Sequence, residues 1–178
     1  NINLLLAVRM GEMHLPQLAR QLASIDQMAG GRLCINIISS DIPGEALDSA
    51  PRYQRTREWM QVLRQLLNGQ AIDFHGEFVD LELEPPRILE GATSPPFYFG
   101  GFSPAAKDVA SAESDVFLTW PDTVASVGGT VAEMTTLAAK HYDRELIYGL
   151  RAHVIVRETE AMARRAAEHL VSKLDVDT

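Results

Sequence analysis

Five short apolar runs, each followed by a segment whose apolar residues recur at helical spacing, constrain this chain more than any other feature. The runs occupy residues 4–8, 33–38, 97–99, 116–120 and 146–156. Short continuous apolar runs of this kind suit the strands of a parallel sheet, which are covered on both faces. The helical segments carry Leu18, Leu22, Ile25 and Met28, then Trp59, Met60, Leu63, Leu66 and Leu67. Val127, Val131, Met134 and Ala138 mark a later helix, and Ala163, Ala167, Leu170 and Leu174 the last. Pro16 stands at a first helical position, and Gly30-Gly31 supplies a left-handed stop. Loops are expected around Pro43-Gly44, Pro85-Pro86 and Pro95-Pro96. Residues 73–81 depart from the pattern and alternate with period two around His75-Gly76, which predicts a small hairpin. Strands alternating with helices give an α/β protein with a parallel sheet, as an open doubly wound sheet or a closed (β/α)8 barrel. A complete barrel takes about 250 residues. Five units in 178 residues therefore predict part of one.

Charge and composition narrow the function classes. With 16 Lys and Arg against 24 Asp and Glu, the net charge is −8, which repels phosphate backbones and argues against nucleic-acid binding. No apolar run approaches the roughly 20 residues of a membrane span, and residues 1–8 lack the basic start and small-residue site of a signal peptide. A single cysteine, Cys34, implies a reducing compartment, most simply the cytoplasm. Lying in an apolar strand with no adjoining histidine or lysine, it reads as core packing. His14, His75, His141 and His169 share no ligand spacing, so no metal is assigned. Neither a Walker loop nor a nucleophile elbow is present.

Three places carry chemistry. At residues 97–106 a strand ends in Gly100-Gly101, and Ser103-Pro104 then starts a helix. Glycines let backbone approach a ligand, and a helix N-terminus favours an anion such as phosphate. A plain strand-to-helix turn with a capping serine explains the same residues equally well. Arg151 and His153, two apart in the fifth run, are expected on one strand face, where a guanidinium meets a sulfonate, a carboxylate or a developing oxyanion. Pairing with a local Asp or Glu is the simpler alternative. Trp120 ends the fourth run, at the strand end where barrel enzymes build their sites, and it suits either a pocket wall or the core.

Taken together, several segments resemble the bacterial-luciferase-like flavin monooxygenases, and most closely the alkanesulfonate monooxygenase branch. They are Leu6-Ala7-Val8-Arg9, Gly30-Gly31-Arg32-Leu33 running to Asn36, Arg52-Tyr53, Pro95-Pro96-Phe97-Tyr98-Phe99-Gly100-Gly101, Leu118-Thr119-Trp120 and Gly149-Leu150-Arg151-Ala152-His153-Val154-Ile155-Val156-Arg157-Glu158-Thr159. The resemblance implies a (β/α)8 TIM barrel of which this chain holds about strands 3 to 7, with the hairpin as an insertion. It implies one luciferase-like domain over residues 1–178, incomplete at both ends and homo-oligomeric when complete. It also implies reduced FMN from an NAD(P)H-dependent flavin reductase, dioxygen as oxidant, and an alkanesulfonate or other organosulfur substrate that releases sulfite.

On the same basis, Tyr53 and the backbone of Gly101, Phe102 and Ser103 hold the FMN phosphate, and Asn36 and Ser39 lie near the flavin ring. Arg151 binds the sulfonate or steadies the flavin–oxygen adduct, His153 assists by hydrogen bonding or proton transfer, and Trp120 walls the pocket against water. Some positions depart from the family. Phe102 replaces a serine, Ser49 a histidine, and Ser39-Ser40 a threonine-glycine pair. A non-sulfonate substrate, or a non-catalytic flavin-binding protein, are the alternative readings.

Overall fold

The computed structural model describes residues 2–40, 44–84 and 92–174. Asp41, Pro43 and Pro85-Pro86 of the expected loops lie outside them. The elements run β1 (Leu4–Arg9), α1 (Leu15–Ala29), β2 (Leu33–Ile38), α2 (Ser49–Leu67), β3 (Ile72–His75), β4 (Asp80–Leu83), β5 (Phe97–Phe99), α3 (Pro104–Glu113), β6 (Val116–Thr119), α4 (Val124–Tyr142), β7 (Ile147–Leu150) and α5 (Glu160–Val171). Five strands form one parallel sheet in the order β1-β2-β5-β6-β7, and β3-β4 form a separate antiparallel hairpin. A doubly wound sheet would reverse its strand order and carry helices on both faces. Here the order runs straight and helices α1 to α4 pack in succession on one side, as in a section of a (β/α)8 barrel.

Alternation sorts the strand residues between two faces. Leu33, Ile35, Ile37, Phe97, Phe99 and Phe117 turn toward the helices and join Leu18, Leu22, Met60, Leu63, Val109 and Met134 in one core. Burying each phenylalanine contributes about 1.5–3 kcal/mol. Cys34, Asn36, Ile38, Tyr98 and Leu118 occupy the opposite face. Gly30 ends α1 with φ +66°, the left-handed stop that the sequence requires.

At the amino end of the sheet, the Asp115 carboxylate accepts hydrogen bonds from the Phe97 backbone N–H at 2.7 Å and from Arg64 at 2.9 Å, while Arg144 lies 3.5 Å away. Arg64 also donates to the Glu113 carbonyl, and its guanidinium lies 4.1 Å from the Phe97 ring centre. One carboxylate thus ties β5, the start of β6 and α2 together.

Three expectations change. The fifth strand is shorter than residues 146–156: β7 ends at Leu150, because β6, its one partner among the described residues, ends at Thr119 and offers no further carbonyls to pair. The Arg151 N–H makes the last ladder bond, to the Thr119 carbonyl at 2.9 Å. Met28 is exposed, since Ala19, Leu22 and Ala23 define the buried stripe of α1. None of the side chains of α5 is buried, so Leu170 faces outward, and Leu174, past the end of the helix, is exposed as well. No helix among the described residues is long and apolar enough to cross a membrane.

The hairpin docks through a buried carboxylate on α2. Glu58 is 3% exposed and accepts from the backbone N–H groups of Glu77, Phe78 and Val79 at 2.7–3.0 Å, and from Gln54 at 2.9 Å. Burial pushes its carboxyl up, but Gln54 and the three turn N–H groups together outweigh it, and Glu58 sits below its ordinary value. A lowered folded value means that this stabilisation is complete above the ordinary carboxylate range and is lost as pH falls through the folded value. Glu58→Gln should cost about 2 kcal/mol by turning an amide N–H2 against backbone donors. Denaturant unfolding reads the loss, and hydrogen exchange should show the Phe78 and Val79 amides opening. The variant should also lose the acid dependence of that opening, whereas identical acid profiles would remove Glu58 as its cause.

Candidate active site

All five strands of a parallel sheet end on the same side, so residues just past β2, β5, β6 and β7 converge there. A cavity of about 140 Å³ opens among them, lined by Asn36, Ile38, Gly100, Gly101, Phe102, Leu118, Trp120 and Arg151, with Ile37 and Thr119 completing the wall. Among the described residues its lining offers an amide and a guanidinium and no carboxylate, a composition suited to an anionic or electron-rich ligand.

Trp120 organises the cationic side. The Arg151 guanidinium lies 4.7 Å from its ring centre, and the His153 ring stacks on it at 6.1 Å with an interplanar angle of 28°. The two residues therefore meet on the indole and not through strand alternation, since both lie beyond the end of β7. Both are exposed rather than buried. A cation over an exposed aromatic face contributes about 0.5–1 kcal/mol and restricts where the guanidinium points.

Close backbone packing positions the opposite wall. A Cβ on Gly100 would come within 2.4 Å of the Leu118 carbonyl oxygen, and one on Gly101 within 2.6 Å of the Ala106 Cβ. The Tyr53 hydroxyl lies 3.6 Å from that second position. Tyr53 is held edge-on to Phe99, with ring centres 6.3 Å apart, and the Arg52 guanidinium is 5.5 Å from its ring centre. Ser103 caps α3, its hydroxyl accepting from the Ala106 N–H at 3.2 Å. Phe102 is 55% exposed and borders the cavity.

The structure thus gathers Asn36, Gly101, Phe102, Trp120 and Arg151 around one cavity, with His153 stacked on its tryptophan. Tyr53 and Ser103 adjoin Gly101 outside the lining. Ser39 does not line the cavity; its hydroxyl bonds the Thr56 hydroxyl at 2.7 Å on the helix side. The sequence reading overlooked Ile38 and Leu118, although alternation from Asn36 and from Trp120 places both on the cavity face. Cys34 is buried, as expected, and shares a sheet face with Tyr98. Burial first, and the neighbouring Cys34 thiol second, push the Tyr98 phenol above its ordinary value.

The donor set fits a phosphorylated flavin. The start of a ten-residue helix, a capping serine and a tyrosine hydroxyl meet beside Gly101, next to the cavity. Comparison with known proteins identifies the family. Residues 1–177 match a family model described as luciferase-like monooxygenase. The chain is 52% identical over 182 residues to a sulfoquinovose monooxygenase of Novosphingobium aromaticivorans, covering 98% of this chain and 50% of that protein. It is 46% identical over 177 residues to one of Agrobacterium fabrum, covering 98% and 46%. The chain therefore spans about half the length of the curated relatives it matches. Among solved structures, the EDTA monooxygenase of Chelativorans sp. BNC1 superposes with a TM-score of 0.81 at 20% identity, covering 98% of this chain and 47% of that one. This last likeness concerns the fold alone.

The glycines provide a test of the packing. Gly100→Ala drives a methyl into a backbone carbonyl and should destabilise by about 1–3 kcal/mol. Gly149→Ala meets side-chain atoms alone, the tip of Leu118 at 2.7 Å, which can rotate away, and a Val116 methyl at 3.4 Å. Thermal unfolding of the two variants should therefore show the larger loss for Gly100→Ala, and equal losses would contradict the contact.

Proposed function

The chain belongs to the luciferase-like monooxygenase family, and from that premise we propose that it is part of a reduced-FMN-dependent enzyme that oxidises a small sulfonate with dioxygen. The observation that carries this reading is the Arg151 guanidinium held over Trp120 at the mouth of the cavity at the strand ends. The sulfoquinovose monooxygenases to which the chain is similar suggest a sulfonated sugar as the substrate. Reduced FMN, delivered by an NAD(P)H-dependent flavin reductase, supplies the two electrons. One oxygen atom of dioxygen becomes the carbonyl of an aldehyde, the other leaves as water, and the carbon–sulfur bond breaks to release sulfite.

The residues of this chain bind, orient and exclude. Tyr53 and the backbone of Gly101 to Ser103 hold the FMN phosphate at the start of α3, and Asn36 addresses the ring from β2. Arg151 pairs with the sulfonate through charge-assisted hydrogen bonds. Trp120 fixes the guanidinium, covers the cavity wall and keeps water away from the reacting carbon. His153, stacked on the same indole, donates a hydrogen bond or moves a proton at the leaving sulfonate.

Arg151→Ala in the full-length protein, assayed with a flavin reductase, should lower sulfite release by about 10- to 100-fold in kcat/KM, the loss of one charged hydrogen-bonding partner. Unchanged turnover would falsify the anion-binding role. Oxygenated product without sulfite would point to a different substrate, and tight FMN binding with no product in a substrate screen to a binding protein. Phe102→Ser adds a phosphate donor at the loop and should tighten FMN binding about 2- to 10-fold in a fluorescence titration. Unchanged affinity would move the phosphate away from that loop.

A further inference from the structure

The β3-β4 hairpin presents two chemically distinct faces. Ile72 is buried and Phe74, Leu81 and Leu83 pack against the core, so by alternation Asp73, His75, Asp80 and Glu82 share the outer face. The register sets Asp73 directly opposite Glu82, and His75 opposite Asp80. Two carboxylates facing each other across a ladder destabilise a hairpin unless a cation lies between them.

The imidazole is oriented from one side and flanked on the other. His75 Nδ1 lies 2.6 Å from Asp80 Oδ1, which fixes the ring and directs Nε2 outward. Nε2 then lies 3.1 Å from Asp73 Oδ1 and 3.8 Å from Glu82 Oε1. The donor atoms of Asp73, His75 and Glu82 all fall within 4.8 Å of one another. Ligands about 2.0–2.2 Å from a shared ion in tetrahedral geometry sit roughly 3.3–3.6 Å apart, so small rotations of two exposed carboxylates close the site. A histidine that ligates through one nitrogen while a carboxylate holds the other is the usual outer-shell arrangement of a zinc site.

We propose that the outer face of this hairpin binds one divalent transition-metal ion of the zinc class, with His75 Nε2, Asp73 and Glu82 as ligands and Asp80 as the carboxylate that orients the imidazole. Water completes the coordination shell, because all four side chains are exposed. An imidazole with two carboxylates favours zinc, cobalt, nickel or copper over magnesium and calcium. The ion bridges both strands and so staples the hairpin, whose turn Glu58 already anchors to α2. None of these ligands lines the cavity at the strand ends, so the site is independent of the oxygenase reading.

The spacing of the histidines along the chain gives no hint of the site. Its ligands are brought together by cross-strand register, Glu82 standing seven positions beyond His75.

Calorimetric titration of the untagged protein with Zn²⁺ tests the proposal. One ion should bind per chain, with at least tenfold weaker binding in His75→Ala and in the double variant Asp73→Asn/Glu82→Gln. His141→Ala and His169→Ala, at exposed helical histidines elsewhere, should leave the affinity unchanged. Zn²⁺ should perturb the His75 imidazole nitrogens in NMR spectra, and excess Mg²⁺ should not displace it. Circular dichroism of each variant separates loss of ligands from loss of fold, the substituted side chains being exposed. Absence of binding up to millimolar Zn²⁺, equal affinity in His75→Ala or the double variant, or displacement by Mg²⁺ at comparable concentration would each overturn the site.

Discussion

The placement of every residue around the cavity depends on how tightly β5 is registered against β6. At one end Asp115 takes the Phe97 N–H and Arg64 on a single carboxylate. At the other, Gly100 lets the Leu118 carbonyl come where a side chain would otherwise stand. Hydrogen bonds to a charged group contribute about 1.5–3 kcal/mol each, enough to make the register at the amino end specific. A slip by one residue would exchange the two faces of β5, sending Phe97 and Phe99 away from the helices and Tyr98 into the core. The two ends therefore act as a clamp, and the turn from Gly100 to Ser103 emerges at a fixed height beside β6 and β7.

The same economy explains how the cationic side is built. Past the Arg151 N–H no strand among the described residues holds the chain, yet the Arg151 and His153 side chains are both located by contacts to the Trp120 indole. An aromatic surface serves here where backbone ladder bonds have run out. It also leaves the guanidinium open to a ligand, because cation–π contact occupies its face and not its N–H donors. On the opposite wall, the glycines that suggest a phosphate loop are required first by packing against Leu118 and Ala106. The capping and anion-binding readings of that turn are thus compatible: the close packing brings the start of α3 and the Tyr53 hydroxyl to one point.

Much of this was legible in the residues. The runs at 33–38 and 97–99 match β2 and β5, and Gly30 supplies the left-handed stop of α1. Those features are local, set by apolar periodicity and backbone conformation. The misreadings were non-local. The run at 146–156 is as apolar as a strand should be, but strand length depends on a neighbour, and β6 stops at Thr119. Met28 has helical spacing yet lies outside the buried stripe, because Ala19 and Ala23 allow the sheet to approach on their side. Ser39 sits beside the candidate flavin-facing residues in sequence, but alternation turns its hydroxyl toward Thr56.

The sequence by itself determined the α/β repeat, the parallel sheet, the hairpin insertion and the family, since each is written in periodicity or in motifs a few residues long. Tertiary structure alone decided which side chains meet. Arg151 and His153 find each other across Trp120, thirty-one and thirty-three residues away along the chain. Tyr53 reaches Gly101 from another helix, and Glu58 captures the N–H groups of a turn nineteen residues downstream. The physical reason is that periodicity fixes only the face a side chain occupies. Its partner is set by strand order and register, which become definite when the whole sheet packs against its helices.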